Sequence, residues 1–150
     1  MARVAGQLAL DTNVLMSLGR KSDSAHEFRE VYQERGYSLL ISPTVLAELV
    51  WLAEFGQADE IGEAQIAIDH FEHWGLETFQ LGEAQHRIAR QFSSLIRGRG
   101  LLPMDQRNDG VILGETALME IPLLATADAH LLNIEPEELN RALTPCGCFM

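Results

Sequence analysis

The sequence predicts an α/β fold, a three-layer α/β/α sandwich on a mainly parallel sheet, because two short apolar runs each lead into an aspartate. The first run is residues 8–10, followed by Asp11, and the second is residues 121–126, followed closely by Asp128. A helical pattern precedes the second run by only a few residues, which is typical of a parallel crossover. Ligands bind beyond the carboxyl ends of such strands, so the two aspartates mark the expected site.

The first half of the chain alternates helical and strand patterns. The apolar positions 61, 64, 68 and 71 have the spacing of one helix face, which ends at Gly75. Expected elements are a helix over residues 13–18, a helix from Ser22 or Ser24 to Gly36, a strand over 37–41, a helix over 43–55 capped by Ser42 with Pro43 in its first turn, and a strand over 76–79.

The second half contains two further helices and the second apolar strand. The fifth helix is expected to bury one face that carries Ala84, Ile88, Phe92 and Leu95. The sixth is expected to begin at Asn108 as its N-cap, with Asp109 complementing the helix dipole. Its inward residues are expected to be Val111, Ile112, Leu118 and Met119. Four histidines on the predicted helices of the chain are interpreted as residues of the polar faces: His26, His70, His73 and His86.

Length and composition predict one domain with a sizeable core, since the chain has 150 residues, 47% of them hydrophobic. No apolar run approaches the roughly 20 residues that cross a bilayer. The first apolar segment carries Asp11, which argues against a signal peptide. A cytoplasmic protein is therefore expected. Cys146 and Cys148 are interpreted as reduced thiols, because half a zinc site would need further ligands nearby.

A formal net charge of −11 argues against sequence-blind nucleic-acid binding through bulk electrostatics. A basic island nevertheless lies between residues 86 and 107, where Asp105 is the single acid. The island could be a phosphate-binding edge or a solvated helix face, and the charge pattern alone favours the solvated face. Its arginines are Arg87, Arg90, Arg97, Arg99 and Arg107.

Glu48 interrupts the third helix, because every other residue from 45 to 53 is apolar. Burying a carboxylate without a partner is costly. Glu48 could point to solvent, or it could lean over the strand ends towards a cation. The pattern around Glu48 leaves both open, and the presence of Asp11 favours the second.

Four acids are candidates for one site: Asp11, Glu48, Asp109 and Asp128. Two ionised carboxylates ~4 Å apart repel by about 4 kcal/mol at an effective dielectric constant of about 20. A bound cation relieves that repulsion, and ligation by oxygen alone selects Mg²⁺ or Mn²⁺. Such a centre polarises a phosphoryl oxygen and generates a hydroxide nucleophile. The predicted reaction is hydrolysis of a phosphodiester or phosphomonoester.

The segments 10–15, the Glu48 helix, 108–112 and 124–128 resemble, in order and spacing, the four acidic motifs of PIN-domain nucleases. The resemblance is greatest to the toxin subunits of bacterial VapBC toxin–antitoxin pairs. It implies a PIN domain over residues 1–134, with a C-terminal extension over 135–150. It also implies Mg²⁺- or Mn²⁺-dependent cleavage of RNA, a homodimer, and inhibition by a small antitoxin.

The same resemblance implies roles for individual residues. Asp11, Glu48, Asp109 and Asp128 would be the catalytic and metal-binding acids. Asn13 and Thr126 would orient them. Two features depart from the family pattern: few cationic residues flank the acids, so RNA contact would rely on the five arginines of the basic island, and Asp105 is either an additional acid or only a loop residue.

Two other phosphoryl-transfer classes fit less well. A haloacid-dehalogenase-type phosphatase normally needs a second aspartate where this chain has Asn13, and a lysine near the site. The only lysine is Lys21, in a predicted loop, and a receiver domain fails for the same reason. A stronger alternative is a PIN-like domain that binds RNA or protein without cleaving, although such a module has no use for four mutually repelling acids.

Overall fold

The computed structural model describes residues 6–127, in which a strand and two helices follow one another three times before a closing strand. Asp128 and the predicted extension over 135–150 lie outside the described residues. The strands are β1 (Gln7–Leu10), β2 (Ser38–Ile41), β3 (Leu76–Thr78) and β4 (Leu123–Ala125). The helices are α1 (Thr12–Gly19), α2 (Asp23–Glu34), α3 (Pro43–Phe55), α4 (Ala58–His70), α5 (Glu83–Gly98) and α6 (Arg107–Leu118).

The sheet has the strand order β3-β2-β1-β4, and each neighbouring pair is parallel. Strand β1 is interior, because Ala9 is in register with Leu40 on one side and with Leu124 on the other. The predicted parallel α/β fold is therefore confirmed. All four strands end at the same edge, which brings the residues after β1 and β4 together.

Both faces of the sheet are covered, as the side-chain alternation of β1 shows. Leu8 and Leu10 join the main core with buried residues of α1, α3 and α4. Ala9 points the other way and packs with Leu40 and Ile121. This alternation explains why the strands are apolar throughout. Across residues 6–127, no helix is long and apolar enough to cross a membrane.

The helix caps confirm part of the sequence reading and correct another part. Ser22 caps α2, and Ser42 caps α3 with a proline in its first turn. Helix α6 begins at Arg107 with Gln106 at the N-cap position, so the prediction of Asn108 as the N-cap is wrong. Asn108 lies inside the first turn, where its side chain is available for a contact with another helix.

The buried face of α5 differs from the predicted one. Ala84 is exposed, while the fully buried positions are Ala89, Phe92, Ser93 and Ile96. Small residues explain the difference, because a Cβ on Gly114 of α6 would lie only 3.2 Å from the Ala89 Cα. The two helices approach through small side chains that a search for large apolar residues does not detect.

The inward face of α6 also needs one correction. Val111 and Ile112 are buried as predicted. Met119 lies beyond the last residue of the helix and is 37% exposed, so its prediction as a core residue is wrong.

Helix α1 packs against α4 through a glycine. A Cβ on Gly19 would collide with the backbone carbonyl oxygen of Glu63, whereas a Cβ on Gly62 would meet nothing within 4 Å. We expect Gly19→Ala to lower the free energy of unfolding by about 1–3 kcal/mol, because the backbone of α4 must move. Gly62→Ala is the matched control and should raise it by about 0.5–1 kcal/mol through helix propensity. Urea unfolding of the two variants checks this, and equal effects would contradict the close helix contact.

Candidate active site

Asp11 follows β1 directly and is the N-cap of α1. Its backbone N–H donates to the Ala125 carbonyl oxygen at 2.9 Å, which continues the ladder between β1 and β4. The residue is only 2% exposed. Oδ1 of its carboxylate accepts from the Thr12 backbone N–H at 2.7 Å, and Oδ2 accepts from the Thr126 hydroxyl at 2.7 Å. The carboxylate is thus held from two sides at the carboxyl edge of the sheet.

Asn13 and Thr126 lie where an orienting role requires them. The Asn13 amide Nδ2 donates to the Thr126 Oγ1 at 3.4 Å. The Asn13 Oδ1 accepts from the backbone N–H of Ala127 at 3.1 Å. Asn13 therefore holds the end of β4 and the hydroxyl that binds Asp11. The geometry agrees with the predicted roles of both residues, which stay predictions.

Glu48 leans over the strand ends, the second of the two orientations that the sequence left open. Its Oε1 accepts from the Thr12 hydroxyl at 2.6 Å, and its Oε2 accepts from the Asn108 amide at 3.3 Å. Thr12 thus joins Asp11, through its backbone N–H, to Glu48, through its hydroxyl. Burial raises the pKa of Glu48, the hydrogen bonds from Thr12 and Asn108 oppose that shift, and the negative charge of Asp11 adds to it.

Asp109 lies close to Glu48, since both line a cleft of about 260 Å³ at the start of α6. Asp105, which the sequence left as a possible additional acid, lines the same cleft. The structure therefore brings Asp11 and Glu48 together through Thr12, and Glu48 and Asp109 together across this cleft. Asp128, the fourth candidate, lies outside the described residues.

The described acids supply the donor chemistry of a hard cation but form only part of a site. Their oxygens suit Mg²⁺ or Mn²⁺, and the negative charge of the buried Asp11 and the partly buried Glu48 favours a cation. Within the described part of the chain, however, no three His, Cys, Asp or Glu side chains form a group that could hold a metal ion.

The arginines of the basic island do not behave alike. Arg87, Arg90, Arg99 and Arg107 are exposed. The guanidinium of Arg97 instead donates from Nε to the Ser93 carbonyl oxygen at 3.2 Å and from Nη1 to the Met104 carbonyl oxygen at 2.8 Å. Arg97 therefore holds the loop between α5 and α6.

Sequence reasoning missed a buried acid, Glu115 of α6, which is 0% exposed. Its Oε1 accepts from the Thr44 backbone N–H at 3.2 Å, and its Oε2 accepts from the Thr44 hydroxyl at 2.9 Å. The Nδ1 of His86 lies 3.4 Å from Oε2, so the interpretation of this histidine as a polar-face residue is incomplete. The available signal was the same as for Glu48, an acid inside a largely apolar helix.

The fold and site define a class of protein, a parallel α/β sandwich with carboxylates gathered at the carboxyl edge of its sheet. The sequence matches the PIN domain over residues 8–135, and the chain belongs to the PIN domain family. No functionally curated protein matches the chain.

Among solved structures, the fold is similar to a chain in the "Crystal structure of VapBC2 from Rickettsia felis bound to a DNA fragment from their promoter". The TM-score is 0.66 at 21% sequence identity, and the match covers 85% of this chain and 92% of that one. At this identity the likeness concerns the fold.

Removing the charge of Glu48 should stabilise the metal-free protein at neutral pH. The folded state raises the pKa of this carboxyl, so the stability that Glu48 contributes is present below its unfolded pKa and declines as the pH rises through the folded pKa. We expect the free energy of unfolding of Glu48→Gln to exceed that of the wild type in EDTA by an amount that grows with pH and then levels off. Urea unfolding between pH 4 and pH 8 checks this.

The predicted metal site adds a second expectation: Mg²⁺ or Mn²⁺ bound by the folded wild type would stabilise it by mass action and reverse the order of the two proteins. If the free energies of unfolding of the wild type and Glu48→Gln in EDTA differ by the same amount at every pH, the raised pKa of Glu48 is contradicted.

Removing the charge of Glu115 should have the opposite effect on stability. Its carboxylate satisfies two donors of Thr44 and faces His86, so Glu115→Gln leaves buried groups imperfectly paired. We expect a loss of about 1–3 kcal/mol in the free energy of unfolding. The exposed Glu54→Gln on α3 is the control and should stay within about 0.5 kcal/mol of the wild type. Equal stability of the two variants would show that the Glu115 contacts contribute nothing.

Proposed function

We propose that this PIN-domain protein is a divalent-metal-dependent endoribonuclease that hydrolyses RNA phosphodiester bonds at the site formed by Asp11, Glu48, Asp109 and Asp128. The observation that carries the proposal is the junction at Thr12, which holds Asp11 and Glu48 together at the carboxyl edge of the sheet. Two acids held together in this way favour a cation, and the PIN family resemblance makes hydrolysis of RNA the expected use of that cation.

The four acids would hold Mg²⁺ or Mn²⁺. The bound ion would supply an activated water and charge stabilisation for the phosphate that is cleaved. The chain's own neutral donors keep the acids in place: Thr126 and Thr12 bind Asp11, and Thr12 and Asn108 bind Glu48. Because these donors carry no charge, they orient the carboxylates without removing their attraction for a cation.

RNA contact is assigned to the exposed arginines of the basic island, namely Arg87, Arg90, Arg99 and Arg107. Arg97 stabilises the loop between α5 and α6, which contains Arg99. Arginine pairs with phosphate through two parallel hydrogen bonds, so a few such residues can bind RNA to an otherwise acidic protein. Salt should weaken binding accordingly.

We further propose that the protein is the toxin of a toxin–antitoxin pair, acts in the cytoplasm as a homodimer, and is inhibited by a small antitoxin. The likeness in fold to a chain of the VapBC2 complex supports this role. Exposed apolar side chains on α3 and α4 support self-association, namely Val50, Phe55 and Ile61. Light scattering of the purified chain and its co-purification with the product of a small neighbouring gene would test these two points.

The nuclease proposal is tested by cleavage of end-labelled tRNA and mRNA fragments in Mg²⁺ or Mn²⁺. Asp11→Asn should reduce the rate by at least about 100-fold, since metal catalysis contributes several kcal/mol to transition-state stabilisation. Thr126→Val keeps the acid but removes its hydrogen bond and should reduce the rate by about 10- to 100-fold. EDTA should abolish cleavage, and the exposed Glu27→Gln on α2 should leave it unchanged.

Two results would contradict the nuclease proposal. A folded protein that binds Mn²⁺ but cleaves none of these RNAs would favour the PIN-like domain that binds without cutting. Cleavage that survives in Asp11→Asn would point to a contaminating nuclease and would remove the support for the site.

A further inference from the structure

An open cleft of about 720 Å³ adjoins the candidate active site on the outer side of Glu48. Thr44, Glu48 and Trp51 of α3 form one wall, and His86 of α5 and Asn108 of α6 lie across from them. Glu48 and Asn108 also line the smaller cleft that contains Asp109. The two clefts therefore meet at Glu48, which the proposed function makes a catalytic residue. An RNA strand that crosses the active site would continue into the larger cleft.

Trp51 presents an aromatic surface to this cleft. Thr44, Glu48 and Trp51 are spaced four and three residues apart, so they share one face of α3. The first two contact α6, whereas Trp51 lies further out and is 57% exposed. Its ring also contacts Phe55, with ring centroids 5.8 Å apart. Aromatic rings at such positions are the surfaces on which unstacked nucleobases pack in single-stranded RNA complexes.

His86 is held by a group that the proposed hydrolysis does not use. Its Nδ1 lies 3.4 Å from the fully buried Glu115 carboxylate, while the histidine side chain itself is 32% exposed. The Nδ1 side of the ring therefore faces the negative carboxylate of Glu115, and Nε2 lies on the other side of the ring. A buried acid behind a half-exposed histidine fixes the ring rather than improving the core, since apolar residues would pack there at lower cost.

The charge of the cleft determines which part of a nucleotide it can bind. None of the described residues that line it is lysine or arginine, and Glu48 contributes a negative charge. A phosphate would be repelled, whereas a base or ribose offers the flat face and neutral donors and acceptors that match Trp51, His86 and Asn108. The volume is also within the range of pockets that hold small organic groups.

We propose that this cleft binds the nucleotide next to the scissile phosphate of a single-stranded RNA. Its base stacks on Trp51, and the His86 Nε2 and the Asn108 amide form hydrogen bonds with its base or ribose. The proposal deepens the nuclease function and rests on it. Glu115 and Thr44 act as positioning residues, because they hold His86 and the start of α3.

The first test observes the cleft directly and needs no cleavage. The chain has two tryptophans, so 5-fluorotryptophan labelling gives two ¹⁹F resonances, which Trp51→Phe assigns. Trp74 is only 6% exposed and precedes β3, at the opposite edge of the sheet, which makes it an internal control. Adding a single-stranded RNA heptamer in EDTA should shift the Trp51 resonance and leave that of Trp74 in place. The same RNA with abasic residues should not shift either.

The second test uses cleavage kinetics. Trp51→Ala should raise KM for a defined RNA by about tenfold or more with a smaller change in kcat, as expected for a lost stacking contact. Trp51→Phe should restore most of the KM. Glu54→Gln, at an exposed position of the same helix outside the cleft, should change KM less than twofold. An abasic residue beside the scissile bond should remove the difference between wild type and Trp51→Ala.

The outcomes separate this inference from the nuclease proposal. If the wild type cleaves RNA and Trp51 responds in neither test, the cleft is not the nucleotide subsite, and the nuclease proposal stands. If no RNA is cleaved but RNA shifts the Trp51 resonance, the cleft binds RNA and the proposed hydrolysis fails. If the resonance follows protein dilution instead of RNA, a second copy of the chain occupies the cleft, and the inference is wrong.

Discussion

The structure depends on a buried carboxylate at the end of an interior parallel strand. Asp11 lies between the ends of β2 and β4, and its backbone N–H pairs with Ala125 while its side chain binds Thr126. These hydrogen bonds fix the position of Asp11 at the end of the sheet. A charge at this place is costly to bury, and it is tolerated because neutral donors reach it from two elements. The remaining candidate residues are placed relative to this point.

Helix α6 then sets the position of Glu48 by contacting α3 twice. Glu115 binds the first turn of α3 at Thr44, and Asn108 binds Glu48 one turn later. The two contacts are about one turn apart on α3 and about two turns apart on α6, so α3 has little freedom to slide or rotate against α6. Because Asp109 follows Asn108, the distance between Glu48 and Asp109 is fixed by the same packing. The buried acid Glu115 is therefore a structural requirement of the candidate site, although it lies outside it.

Features that local sequence patterns determine could be predicted from the sequence. Contacts that depend on tertiary packing could not. Apolar runs that end on acids predicted the parallel sheet and the place of Asp11, since strand ends meet at one edge whatever the details of packing. The roles of Thr12 and Asn108 depend on contacts across 36 and 60 residues, for which no periodicity gives a signal. The contact between Glu115 and Thr44 spans 71 residues and was missed for the same reason.

The error on α5 has the same origin. Its buried face includes Ala89 and Ser93, which approach Gly114 and Gly110 of α6, and a search for large apolar residues does not detect these two positions.

The described donors to Asp11 and Glu48 are neutral groups. Hydroxyls and amides orient both carboxylates without cancelling their charge, and the raised pKa of Glu48 reflects first the cost of its burial and then the nearby negative charge of Asp11. A cationic side chain in place of Thr12 would remove that cost and also the drive to bind a metal ion. Arg97 contacts the loop before α6 instead, through the Met104 carbonyl oxygen. Among the described residues, the hydrogen bonds to the buried Asp11 and the partly buried Glu48 come from neutral groups, which leaves a negative charge that a divalent cation would offset.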